Sequence, residues 1–117
     1  GLAHATELRG YLLEQIGGLR GITLNSPPDA LPYIVNLSIP GLRSEPVLNL
    51  LSEMGVYVSS GSACAKGHKS PVLTALGLPD TRIDSALRIS FSRFTTPQEI
   101  DALVAGIKRV QQVLRRI

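Results

Sequence analysis

A small two-layer α/β sandwich is the fold class this sequence predicts, and three observations carry it. Residues 87–91 alternate apolar and polar, the signature of a strand with one buried face. Ile100, Leu103, Val104, Ile107, Val110, Leu114 and Ile117 form an apolar stripe at helical spacing, which needs a sheet to cover. Helical patterns also alternate with short apolar runs along the whole chain. The 117 residues leave room for one core and not for two, so residues 1–117 are expected to form a single domain.

The elements follow in chain order. Leu8, Leu12 and Ile16 repeat at helical spacing until Gly17-Gly18 stops the run. This first helix opens without a cap, which fits a cut or processed chain. Ile22-Thr23-Leu24 is a short strand candidate, closed by the turn-forming run Asn25-Ser26-Pro27-Pro28-Asp29. Tyr33 to Ile39 reads as a strand ended by Pro40-Gly41. Ser44 is the expected N-cap of a helix through Val47, Leu48, Leu50, Leu51 and Met54, with Pro46 in its first turn and Gly55 as its stop. Val56-Tyr57-Val58 is expected to be a short strand. A short helix capped by Ser70, with Pro71 at its first position, ends before Gly77. Leu87 to Phe91 is the next strand, with Leu87, Ile89 and Phe91 on one face and Arg88, Ser90 and Ser92 on the other. Thr96-Pro97-Gln98-Glu99 is a capping box that opens the last helix.

Composition narrows the function classes. Apolar residues make up 44% and charged residues 18%, ordinary for a globular chain and unlike a disordered one. No apolar run approaches the length of a membrane span, and the amino end lacks the pattern of a secretory signal. The net charge of +3 is a mild excess, and Lys108, Arg109, Arg115 and Arg116 account for much of it at a helix end. With an aromatic share of only 4%, neither a nucleic-acid stripe nor a stacking platform is indicated. One cysteine makes neither an internal disulfide nor a cysteine-based metal site, and His4 and His68 stand far apart, so no metal constellation exists. A reducing compartment, the cytoplasm, is the expected location.

Two residues stand out chemically. Cys64 lies in Ser59-Ser60-Gly61-Ser62-Ala63-Cys64-Ala65-Lys66-Gly67-His68-Lys69, a run of small residues expected to be an exposed, mobile loop. Lys66, His68 and Lys69 place positive charge near the sulfur, which favours thiolate over thiol. A buried, inert cysteine is the plainer alternative. The His68-Lys69 pair invites comparison with a Schiff-base lysine, but it has no carboxylate nearby in sequence and reads as part of the loop. Arg88 is held by apolar neighbours on the outer face of its strand, suited to a two-pronged grip on a carboxylate; by spacing alone an ordinary surface arginine fits as well.

The run Ser59 to Cys64, followed by Val72 to Leu78 and then by Leu87-Arg88-Ile89-Ser90-Phe91-Ser92-Arg93-Phe94-Thr95-Thr96 before an acidic helix start, resembles the carboxy-terminal part of cysteine desulfurases. These form the NifS/IscS-like branch of the class-V aminotransferase family. The resemblance spans essentially the whole chain, and its specific parts are the cysteine run and Arg93-Phe94-Thr95-Thr96. It implies the small carboxy-terminal domain of a fold-type I pyridoxal phosphate enzyme, with a short, mostly antiparallel sheet packed by helices. It also implies that Cys64 is the nucleophile that takes sulfur from L-cysteine as a persulfide, leaving L-alanine, and that Arg88 binds the substrate's carboxylate. Phe91-Ser92-Arg93 stands where the family has Leu-Gly-Arg, so no role passes to Arg93.

The family's cofactor lysine, the aspartate under its pyridine nitrogen and most phosphate contacts lie in a preceding large domain. Pyridoxal phosphate is therefore expected to be bound by the full-length enzyme and not by this chain, which is expected to be inactive alone. The resemblance further implies a sulfur acceptor such as an iron–sulfur scaffold, a homodimer at full length and a monomer for the isolated domain. Two other readings stay open: a stand-alone persulfide carrier, and a class-V aminotransferase relative acting on another substrate.

Overall fold

The computed structural model describes residues 2–26, 31–61 and 71–114. Among these residues nine elements follow one another: α1 (Leu2–Gly17), β1 (Thr23–Leu24), β2 (Ile34–Ser38), α2 (Ser44–Glu53), β3 (Ser59–Ser60), α3 (Pro71–Ala75), α4 (Asp80–Asp84), β4 (Ala86–Ser90) and α5 (Pro97–Val113). The strands make one antiparallel sheet in the order β1-β2-β4-β3. The predicted two-layer sandwich is thus the observed fold.

Pairing of β2 with β4 fixes which residues face the core. Val35 lies opposite Ile89 and Leu37 opposite Leu87, and all four are buried. Because side chains alternate across a strand, Asn36, Ser38, Ala86, Arg88 and Ser90 then point to the other face. The first face is covered by α1 through Leu8, Leu12 and Ile16, by α2 through Val47 and Leu51, and by α5 through Ile100 to Val110. The second face is covered only at one end, where Leu73 and Ile83 from α3 and α4 close over Ala86.

Among the described residues the helix ends are as the sequence predicts in all but one case, and the expected cap Ser70 lies outside them. Thr96 Oγ1 accepts from the Glu99 amide at 3.2 Å, and Glu99 Oε1 accepts from the Thr96 amide at 3.2 Å. Gly55 and Gly77 adopt φ of +79° and +72° just past α2 and α3, a region open to glycine at little cost. Ser44 is not the cap of α2. Arg43 occupies that position without a side-chain bond, while Ser44 is buried in the first turn with its hydroxyl 3.3 Å from Ser60 Oγ. Packing against β3 takes the hydroxyl that capping would have used.

Two further differences have physical causes. Val56-Tyr57-Val58 is not a strand. The Val56 amide closes α2 by donating to Leu51 O at 2.9 Å, and residues 55–58 then diverge from β4. A cleft of about 210 Å³, floored by Leu103 and Ile100 of α5, separates them from Ile89–Phe91, so ladder bonds form only from Ser59 onward. The sequence reading also lacks α4, whose five residues are too few to show a helical period.

Outside the apolar layer, α1 and α5 are joined by a bond from the Tyr11 hydroxyl to Asp101 Oδ1. That bond, together with the Asp101 charge, raises the Tyr11 pKa above its ordinary value of 10.0. The raised value means that the protonated phenol stabilises the fold at neutral pH, and that this contribution disappears as pH climbs through the raised value. An alkaline absorbance titration should therefore show one phenol ionising later than a free tyrosine, and Tyr11→Phe should remove that component. Thr96→Ala should lower stability by about 1 kcal/mol, read as a shift in urea midpoint at constant slope.

Candidate functional site

Arg88 stands in the middle of β4 on the uncovered part of the second face, and its side chain is exposed. Its neighbours Leu87 and Ile89 are both buried, which locks the strand register and so the direction in which Arg88 leaves the sheet. Ile34, Asn36, Ser59 and Ser90 share that face around it. Among the described residues none of these supplies a carboxylate, and Arg88 has no ion-pair partner. A guanidinium fixed this way offers its fork to an incoming carboxylate or phosphate.

The strand beside it leads to the cysteine. Ser59 is the direct cross-strand partner of Arg88, Ser60 pairs with Leu87, and Gly61 extends the ladder by donating to Ala86 O at 2.9 Å. Cys64 follows three residues later and lies outside the described residues, as do Lys66, His68 and Lys69.

Gly61 is a requirement of packing. A Cβ built there would lie 2.6 Å from Asn36 Nδ2, 3.2 Å from Asn36 Cγ and 3.3 Å from the Ala86 carbonyl carbon. The Asn36 carboxamide thus crosses β4 and rests over the end of β3. It is held in turn by Asn25, whose Nδ2 donates to Asn36 Oδ1 at 2.9 Å and to Ser38 Oγ at 2.7 Å. Arg82 of α4 donates from Nη2 to Asn25 Oδ1 at 2.8 Å and to Leu24 O at 3.3 Å. The sequence reading passed over Asn25, Asn36 and Arg82. One signal was available: a polar residue in the centre of the Tyr33–Ile39 run, where the alternation assigns it to the face that bears Arg88.

Arg93, given no role from sequence, places its guanidinium carbon 4.8 Å from the centre of the Phe94 ring. His4 places Nε2 2.7 Å from Thr95 O. The described residues do not fit a pyridoxal phosphate site. Lys108 is the one lysine among them, and it is exposed on α5, the layer on the opposite side of the sheet from Arg88. Among the described residues, the strand positions that surround Arg88, namely Ile34, Asn36, Ser59 and Ser90, supply no acidic side chain to partner a pyridine nitrogen.

With this geometry in view, the likeness to known proteins is informative. The profile of the family described as aminotransferase class-V matches residues 2–103, and the chain belongs to that family. It is 38% identical over 115 residues to the cysteine desulfurase IscS of Vibrio vulnificus, and 40% identical over 115 residues to that of Vibrio atlanticus. Each match takes in 96% of this chain and 28% of the relative. A solved NifS-like protein superposes with a TM-score of 0.83 at 29% identity, over 97% of this chain and 28% of that one. The chain therefore spans somewhat more than a quarter of the length of the curated relatives it matches.

Gly61→Ala should force the Asn36 carboxamide aside and lower stability by about 1–3 kcal/mol. Thermal unfolding of the variant beside Gly17→Ala, where nothing lies within 4 Å of the added carbon, separates this clash from a general effect of alanine.

Proposed function

We propose that this chain serves as the small carboxy-terminal domain of a pyridoxal-phosphate-dependent cysteine desulfurase. Arg88 binds the α-carboxylate of L-cysteine, and the Cys64 thiolate accepts the substrate's sulfur. One observation supports this above the others: Arg88, exposed and without an ion-pair partner among the described residues, is the cross-strand partner of Ser59, three residues before the undescribed run that holds Cys64 begins. In this reading Arg88 is the carboxylate grip, and the sulfur acceptor follows three residues after Gly61 in sequence. The similarity to cysteine desulfurases from two Vibrio species supports the same reaction class.

In overall balance, L-cysteine and the Cys64 thiol become L-alanine and a Cys64 persulfide, with no external oxidant or reductant. The sulfur–sulfur bond replaces the substrate's carbon–sulfur bond, and the carbon takes a proton. Pyridoxal phosphate, when bound, supplies the electron sink that such a cleavage needs. In this reading the rest of the enzyme holds the cofactor. The persulfide then passes to an acceptor thiol, such as that of an iron–sulfur scaffold, within a cytoplasmic homodimer.

The test is made in the complete polypeptide loaded with pyridoxal phosphate. Cys64→Ser should lower alanine formation by at least about a thousandfold and abolish persulfide, leaving the cofactor's absorbance intact. Arg88→Lys should raise the KM for L-cysteine by about 10- to 100-fold, the loss expected when a forked grip on a charged group becomes a point contact. Persulfide retained in Cys64→Ser would remove the assignment.

A further inference from the structure

We propose that α3 and α4 form a flap over one end of the sheet, which opens as a single unit and is latched by Arg82. Closed, the flap covers Ser38 and Ala86, the next pair on that face after Asn36 and Arg88, and both are fully buried. Open, it adds Ser38 and Ala86 to the exposed strip that bears Arg88. The latch therefore sets how far that strip extends.

The unit holds itself together. Leu73 of α3 and Ile83 of α4 meet over Ala86, with Leu78 of the connection packed beside them, and this cluster is separate from the one on the opposite face. The amides of Gly77 and Leu78 donate to Thr74 O at 3.0 Å and Leu73 O at 3.4 Å, and those of Arg82 and Ile83 donate to Pro79 O at 2.9 and 3.1 Å. All four bonds close inside the unit. Ser85 Oγ donates to Thr81 O at 2.9 Å, which ties the end of α4 to its own first turn. None of these bonds is lost when the flap leaves the sheet.

Its attachment is of a different kind. Arg82 Nη2 donates to Asn25 Oδ1 at 2.8 Å and to Leu24 O at 3.3 Å, Nε donates to Asn25 Oδ1 at 3.2 Å, and Arg82 O accepts from Ser38 Oγ at 2.5 Å. Every partner belongs to β1, β2 or the residue that follows β1. Water can replace such bonds on opening, so releasing the latch costs far less than breaking the main core. The sheet also keeps its own bonds, from Asn25 Nδ2 to Asn36 Oδ1 and to Ser38 Oγ. Toward α2 the seam is already open: a cleft of about 150 Å³ is lined by Thr81 and Asp84 on one side and by Gly41, Leu42 and Arg43 on the other. A unit with its own small apolar cluster and a solvent-replaceable attachment opens below the free energy of global unfolding.

Hydrogen–deuterium exchange of the complete polypeptide, read by peptide mass, tests this without substrate or cofactor. Peptides spanning 73–79 and 80–85 should share one opening constant, at least about a hundredfold above that of the α5 peptide 100–107. Arg82→Met should raise the shared constant about tenfold, the loss expected for hydrogen bonds from a charged group, and change the α5 peptide less than about twofold. Ile83→Val trims the small cluster and leaves the latch in place; it should raise the same constant about 3- to 10-fold, again without reaching α5. Unequal opening of the two flap peptides overturns the proposal, because it means separate fraying of two short helices. Opening no faster than in α5 overturns it as well, and so does an Arg82→Met effect that reaches α5 in equal measure.

Discussion

The pairing of β2 with β4 is the constraint on which the rest of the structure depends. Its five residue pairs bring Leu37 against Leu87 and Val35 against Ile89, and burial of these four leaves the register no freedom. A slip by one residue would turn Arg88 and Asn36 into the core and Leu87 into water, and burying an unpaired guanidinium would cost several kcal/mol. Three helices seal one side of that pairing through a single continuous cluster. What the register leaves on the opposite side is the face that bears Arg88.

Beside the small apolar cluster of Leu73, Ile83 and Ala86, that opposite face is organised by hydrogen bonds. Arg82, Asn25, Asn36 and Ser38 form a chain of side-chain bonds, and Ser38 Oγ returns the connection by donating to Arg82 O at 2.5 Å. Buried polar groups satisfied in this way give unique geometry, because a rotated amide would leave two partners unmet. The sheet thus has one face that supplies cohesion and another that supplies aim. Arg88 belongs to both: its strand is held by the first face, and its side chain is presented on the second.

Function on this scaffold is a matter of adjacency. β3 contributes only two residues to the sheet, yet it sits at the edge beside Arg88 and delivers the chain toward Cys64. Glycine at position 61 is what allows the Asn36 carboxamide to reach so far across the strands. At Gly61, near the start of the small-residue run, the glycine is therefore a consequence of close packing. The separation of residues 55–58 from β4 follows the same logic, since the cleft of about 210 Å³ ends where Ser59 begins to pair.

The sequence by itself determined the elements whose physics is local and periodic. The capping box at Thr96, the apolar stripe of α5, the alternation through Leu87 to Phe91 and the glycine stops at Gly55 and Gly77 all appear as read, because each depends on residues within one or two turns of chain. It also singled out Cys64 and Arg88, one by its small-residue setting and the other by its place in an alternating strand. What only the tertiary structure decided involves partners distant in sequence. Ser44 lost its cap to a contact with Ser60, Val56–Val58 lost its strand to the divergence from β4, and Asn36 gained its place from Asn25, Arg82 and a bare Gly61. The juxtaposition of Arg88 with Ser59 is of the same kind. No spacing in the chain encodes which strands become neighbours; that was settled by burying Leu37 and Leu87 together, and the site is a consequence.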